Sequence, residues 1–197
     1  MINVCSNCGK YAVKKIIDLV ESTVTCPFCF FKHEYIFKTL SIVTGPSGAG
    51  KTTIHEQLTG HIPGNILLEG DIFWSGRTDG FFDLVLRTCK NIIQSNVSVV
   101  VFNSGLGVPS NISKSDESAY FRGFRYLNLT CSDETLVKRL TGRPEWRKSA
   151  TEEELQKQLQ FKKWLDIEHQ FNTIDTTSKD ITETSEIVRN WIINNGP

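Results

Sequence analysis

From Thr39 onward the apolar residues fall into two patterns that take turns. Short stretches, Thr39–Thr44, Asn65–Leu68, Val97–Phe102, Phe124–Leu129 and Asn172–Asp175, read as strands, with Val97–Phe102 a buried one. Between them lie helical signals. Thr53 to Leu58 suits a helix, and Asp79 to Gln94 carries Phe82, Val85, Leu86, Ile92 and Ile93 at three- and four-residue spacings. Ser132-Asp133-Glu134 offers an N-cap and an acidic first turn, and Thr151-x-x-Glu154 is a capping box for a helix reaching about His169. Asp180-x-x-Glu183 opens a last helix bearing Ile187, Val188, Trp191 and Ile192. Strands joined by helical connections of this length form parallel βαβ units, so residues 38–197 are predicted to be a three-layer α/β core with about five parallel strands.

Residues 1–37 lack this rhythm and read as a separate unit. Short strands are expected within Val13–Leu19 and at Val24-Thr25, and Phe28, Phe30, Phe31 and Tyr35 as its minimal core. Ser104 to Glu117, rich in Gly, Ser and Pro, reads as a movable loop. No internal repeat or low-complexity segment is present.

The first core strand runs into Gly45-Pro46-Ser47-Gly48-Ala49-Gly50-Lys51-Thr52-Thr53, a match to G-x-x-x-x-G-K-[ST] at every fixed position and between a strand and a helix. The glycines let successive backbone N–H groups converge on a phosphate, and the following helix adds the positive end of its dipole. Lys51 then reaches the β- and γ-phosphates, and Thr52 offers its hydroxyl to Mg²⁺. The stretch predicts binding of a nucleoside triphosphate through residues 45–53. A flexible Gly/Ser loop is the plain alternative.

In sheets of this kind ligands sit beyond the carboxyl ends of the strands. The second core strand ends in Glu69-Gly70-Asp71, two carboxylates leaving on one side with Gly70 allowing a turn between them. Glu69 is placed on the Mg²⁺ side and Asp71 as the base that takes a proton from an acceptor hydroxyl. A solvated acidic turn would look the same. The third strand ends in Asn103, where many phosphate-loop proteins carry a Mg²⁺-holding Asp, which argues against a molecular motor or a GTP switch.

Cys5-x₂-Cys8 and Cys26-x₂-Cys29, separated by 17 residues, have the spacing that lets two knuckles present four thiolates to one tetrahedral Zn²⁺. A disulfide framework is the alternative, and a phosphate-loop protein in a reducing compartment disfavours it. His33 reads as a surface residue, and Cys89 and Cys131 as buried thiols.

Lys+Arg and Asp+Glu number 22 each, so no global field draws the chain to nucleic acid or an anionic membrane. Residues 1–38 sum to +2 in side-chain charge, which four zinc-bound thiolates would bring near zero. Without an 18-residue apolar run or a basic-then-apolar leader, the chain is expected to be soluble and cytoplasmic.

Taken together, the phosphate loop, Leu68-Glu69-Gly70-Asp71 and Ile174-Asp175-Thr176-Thr177 resemble the small P-loop kinases, a family with adenylate, shikimate, gluconate and adenylylsulfate kinases and chloramphenicol phosphotransferase. The resemblance covers residues 39 to about 194, and the preceding zinc ribbon departs from the commonest members. It implies an ATP-dependent phosphotransferase. It also gives a meaning to Lys138, Arg139, Arg143, Arg147 and Lys148, which resemble the cationic lid that closes over ATP in these kinases. Arg143 and Arg147 are then the expected phosphate contacts, with Arg139 beside them. A solvated helix end would carry similar cations.

The acceptor pocket is expected among Phe73, Trp74, Arg77, Phe81, Phe82, Asp83 and Arg87, where aromatic rings beside arginine suit a flat base or ring. A nucleoside or nucleotide is the first expectation for the small acceptor. A polynucleotide 5′-hydroxyl kinase gripping nucleic acid through the ribbon, and a non-catalytic ATP-controlled module docking a protein partner, are the alternatives.

Overall fold

The computed structural model of the protein describes residues 3–143, 149–168 and 171–194. The chain opens with three short strands, β1 (Ile16–Asp18), β2 (Thr23–Thr25) and β3 (Lys32–Glu34), paired antiparallel in that order. The Lys-His-Glu of β3 has no apolar alternation, so only its pairing with β2 makes it a strand.

The core sheet holds β4 (Thr39–Thr44), β5 (Asn65–Glu69), β6 (Ser98–Phe102), β7 (Gly123–Thr130) and β8 (Asn172–Asp175). Its order is β5-β6-β4-β7-β8, and every pairing is parallel. The period of two along each strand sorts the apolar residues into two layers. Leu40, Ile42, Val99 and Val101 face α2 (Phe81–Ile93) and Leu165 of α5 (Glu152–Ile167), while Val43, Val100, Phe102, Leu127 and Leu129 face α1 (Lys51–Leu58) and α6 (Ile181–Asn194). This is the three-layer α/β core read from the sequence. Its capping signals also stand as expected, since Ser132 caps α4 (Asp133–Thr141) and Thr151 with Glu154 forms the capping box of α5.

The segment expected to be a movable loop is packed instead. Asn103 Oδ1 accepts the Leu106 N–H at 2.9 Å, a 3₁₀ turn at Gly105–Gly107 follows, then α3 (Pro109–Ser113) and a second 3₁₀ turn at Asp116–Tyr120. Gly107 lies so close to β4 that a Cβ would fall 1.9 Å from Thr44 Oγ1, and Leu106 and Ile112 are buried. Small polar residues here permit close approach, which composition alone reads as looseness.

The second departure is in the ribbon. Tyr35 is buried as expected, but Phe28, Phe30 and Phe31 are 52%, 72% and 39% exposed. The ribbon's inner face is closed by the core: Val24, Tyr35 and Phe37 pack on Tyr120 of the second 3₁₀ turn. The Tyr120 hydroxyl donates to the Val13 carbonyl and accepts the Lys15 N–H, and Gln94 at the end of α2 bonds both backbone groups of Ile36. Thus the ribbon keeps its own sheet yet is stitched to the core.

At the centre of that seam is a buried cation. Lys90 is fully buried on α2, where its ammonium donates to Asn3 Oδ1 at 2.6 Å, pairs with Glu117 and lies 3.9 Å from the centre of the Tyr120 ring. Burial pushes the Lys90 ammonium below its usual range, and the Glu117 carboxylate pulls it back. Lys90→Ala would leave Glu117, 1% exposed, with only Arg87 at 2.8 Å among the described cations paired to it. Removing one partner of a buried pair is strongly destabilising, so the variant is expected to lose about 3 kcal/mol in denaturant titration.

Candidate functional site

The loop that leaves β4 is built to exclude side chains. A Cβ on Gly45, at φ 146°, would fall 2.3 Å from the Leu129 carbonyl oxygen. One on Gly48, at φ 88°, would press on Leu136 and Leu140 at 3.2 Å. Gly50 at φ 102° then starts α1, whose first turn carries no acidic side chain, so the positive helix end is left for an anion.

Around this loop the side chains hold one another in place. Lys51 Nζ curls back to donate to the carbonyls of Gly45 and Pro46 at 2.8 and 3.0 Å. Thr52 Oγ1 donates to Glu69 Oε1 at 2.5 Å, which joins a hydroxyl and a carboxylate as two hard oxygen donors at the end of β5. Two residues on, Asp71 Oδ1 accepts Asn103 Nδ2 at 2.9 Å. Because Asn103 Oδ1 is taken by the Leu106 N–H, the amide can only turn its NH₂ towards Asp71, and the carboxylate is oriented from the neighbouring strand. Gly70 is required by this contact, since a Cβ there would meet Asn103 Cβ at 2.7 Å.

These groups share a cavity of about 520 Å³, lined by residues 47–54, Glu69, Asp71, Ser104, Arg139, Arg143, Thr176 and the start of α6 among others. Its size is within the roughly 300–1,000 Å³ of small-molecule sites. At the start of the loop the Gly45 and Pro46 carbonyls accept Lys51 Nζ, and the Gly45 carbonyl also accepts Ser104 Oγ at 2.8 Å. Arg139 reaches the Gly48 carbonyl at 3.3 Å and both polar atoms of Thr176, so it ties the loop to the end of β8. Arg143 lines the cavity, whereas Arg147 falls outside the described residues.

The sequence reading missed Asn103 as an anchor, Ser104, and Gln158 of α5, whose Oε1 accepts the Ser47 N–H at 2.8 Å. Linear spacing carries no sign of Gln158, since its partner lies 111 residues away. The expected acceptor groups divide. Phe81 is buried with Phe82 packed on it, Arg87 is turned to Glu117, and Asp83 is held by Ser115 Oγ. Trp74, edge-on to Phe81, stays half-exposed near Asp71, with Ile72 and Arg77 also exposed.

At the other end of the chain, the sulfurs of Cys5, Cys8, Cys26 and Cys29 all lie within 4.8 Å of one another, with Cys5–Cys29 at 3.6 Å and Cys8–Cys26 at 3.8 Å. A tetrahedral ZnS₄ centre with bonds of 2.3 Å needs S···S separations of roughly 3.8 Å. The set therefore fits a soft divalent ion. Within the cluster, Asn7 and the Phe31 N–H lower the Cys29 thiol to about 6, while burial and the neighbouring sulfurs raise Cys8 to about 11.

The sequence matches no protein-family model and no curated protein. Solved structures do match. A sugar kinase from a Janibacter species aligns at TM-score 0.61 and 18% identity over 79% of this chain and 95% of its own. A gluconokinase from Sinorhizobium meliloti aligns at 0.53 and 19% over 82% and 99%. A chain of the Pnkp1/Rnl/Hen1 RNA repair complex aligns at 0.56 and 16%, over 75% of this chain and 51% of that one. The fold of this chain is that of the P-loop kinases.

Proposed function

We propose that the protein is an ATP-dependent kinase that transfers the γ-phosphoryl group to a small hydroxyl- or phosphate-bearing acceptor, with a nucleoside or nucleotide as the first candidate. One observation carries the reading: the Thr52–Glu69 and Asp71–Asn103 pairs stand side by side at the mouth of a loop whose shape admits only glycine at Gly45. In this assignment the amides of residues 46–53 and the start of α1 bind the triphosphate, and Lys51 exchanges the carbonyls of Gly45 and Pro46 for phosphate oxygens. Thr52 and Glu69 hold Mg²⁺, which when bound neutralises charge on the phosphates. Asp71 accepts the acceptor's proton, Arg143 meets phosphate charge from the cavity wall with Arg139 beside it, and Arg147 is assigned a phosphate contact as well.

A screen of Mg²⁺-dependent transfer from γ-labelled ATP to nucleosides, nucleotides, sugars, antibiotics and 5′-hydroxyl oligonucleotides tests this. Label on no acceptor at all would sink the reading. A second reading, phosphorylation of a nucleic-acid 5′-hydroxyl end, is favoured by Ile72 and Trp74, which follow Asp71 in the chain and are both exposed.

Zinc is the metal we assign to Cys5, Cys8, Cys26 and Cys29, with residues 1–37 as the ribbon and 38–197 as the kinase domain. Zinc binding is folding energy for so small a sheet. Since the ribbon covers Tyr120 and the Lys90–Glu117 pair, chelation is expected to unfold the ribbon and to lower the melting temperature of the kinase domain as well. Metal analysis should give one zinc per chain, and an unchanged melting curve after its removal would overturn the coupling.

A further inference from the structure

We infer that the second cysteine knuckle is a docking surface for single-stranded nucleic acid, with Phe28, Phe30 and Phe31 stacking on bases and Lys10 and Lys32 meeting phosphates. This goes beyond the transfer reaction and requires neither reading of its acceptor. The first sign is exposure. Among the ribbon's exposed apolar side chains, which also include Tyr11, Ile16, Leu19 and Val20, the three phenylalanines Phe28, Phe30 and Phe31, at 52%, 72% and 39%, sit together on one knuckle.

The second sign is backbone strain at the same place. Both knuckles turn in the left-handed region directly after their second cysteine: Gly9 at φ 68° and Phe30 at φ 58°. The first uses the residue that adopts this conformation freely, and the second puts there an aromatic side chain for which it is an outlier. Phe30 is thus strained and exposed at once, a combination that folding alone does not select. The loop is rigid, because Phe30 N–H donates to the Cys26 carbonyl at 3.0 Å and Cys26 N–H to the Phe31 carbonyl at 2.9 Å. Phe31 also stacks with His33 at a centroid distance of 6.4 Å, which extends the aromatic surface.

Charge selects the partner. Residues 1–17 and 22–33 contain no Asp or Glu, and the acids Asp18, Glu21 and Glu34 collect at the far end, where Glu34 pairs across from Thr23. Lys14 is paired with Asp116 and Lys15 is buried, whereas Lys10 and Lys32 are exposed. The Lys10 ammonium stands 5.0 Å from the centre of the Phe28 ring. Zinc-bound thiolates would carry −2 here, set against the four lysines of residues 1–17 and 22–33, Lys10, Lys14, Lys15 and Lys32, while the Phe28 N–H and the Asn7 amide bond to Cys26 Sγ and Cys29 Sγ. Flat rings interleaved with cations fit unpaired bases on a phosphate chain. A duplex hides its base faces, and an apolar protein surface would have to strip water from Lys10 without return.

The test uses the full zinc-loaded chain and fluorescein-labelled dT₁₂ and rU₁₂, read by anisotropy. Binding to both is expected, stronger than to the corresponding duplex, with a log–log salt slope of about −1.4 for two neutralised phosphates. Phe30→Gly separates docking from folding. It should keep zinc and raise the melting temperature by relieving strain, while weakening single-strand binding roughly tenfold. Phe28→Leu, which keeps bulk and loses the flat ring, should weaken binding several-fold at unchanged zinc content. Failure to bind either strand, equal affinity for duplex, or full affinity in both variants would overturn the proposal. So would capture of a protein partner on these rings without any oligonucleotide binding.

Discussion

Lys51→Ala is expected to abolish phosphoryl transfer while leaving the chain folded. Its ammonium now bonds the Gly45 and Pro46 carbonyls, and the loop does not depend on it for shape, because Gly45 is wedged against the Leu129 carbonyl and held by Ser104. What the variant loses is a positive charge on the bridging region of the triphosphate, where negative charge is redistributed during transfer. A preorganised charge of this sort stabilises the transition state by several kcal/mol, so the rate should fall by about 10³-fold or more. An unshifted melting curve with no labelled product is the expected result. Undiminished turnover would remove residues 45–53 from the proposed site.

Asp71→Asn is expected to lower kcat by about 10²–10⁴-fold with ATP affinity changed much less. A positioned base acts on the transition state, whereas triphosphate binding rests on the loop amides and α1. The structure makes this variant a clean one. Asn103 is already fixed by the Leu106 N–H, so its amide will donate to the Oδ1 of an introduced Asn as it does to Asp71, and shape is preserved while charge is removed. Glu69→Gln should differ by shifting the Mg²⁺ dependence, since Glu69 is joined to the Thr52 hydroxyl. If Asp71→Asn transfers phosphate at the native rate, the general-base role falls. Asp83, held by Ser115 Oγ on the next helix, is engaged elsewhere and does not inherit it.

Most of the core was legible because its signals are local. A parallel strand buried on both faces is an apolar run, a cap is three or four residues long, and the glycine loop is contiguous. The same holds for Glu69 and Asp71, which a single strand end delivers together. What escaped the sequence depends on partners far along the chain. Gly70 reads as a turn residue, yet Asn103 is what demands it; Asn103 reads as a missing carboxylate, yet it orients one. Arg87 and Asp83 have the chemistry of an acceptor pocket, and only the fold reveals that Glu117 and Ser115 claim them. The knuckle phenylalanines read as core because composition cannot tell that Tyr120 fills that space from about ninety residues away.

That last contact has a consequence for how the chain is made. Tyr120 grips the backbone at positions 13 and 15, and Asn3 waits for Lys90, 87 residues later. On a ribosome the four cysteines are out within the first thirty residues and can take up metal at once, but Val24 and Tyr35 stay uncovered until residue 120 has been added. At about 5–20 residues per second that interval lasts roughly 5 to 20 s. Capture of the zinc proposed for this cluster would then precede closure, and a nascent chain without it would meet chaperones and oxidants with its thiols bare and its amino-terminal face still unsheltered.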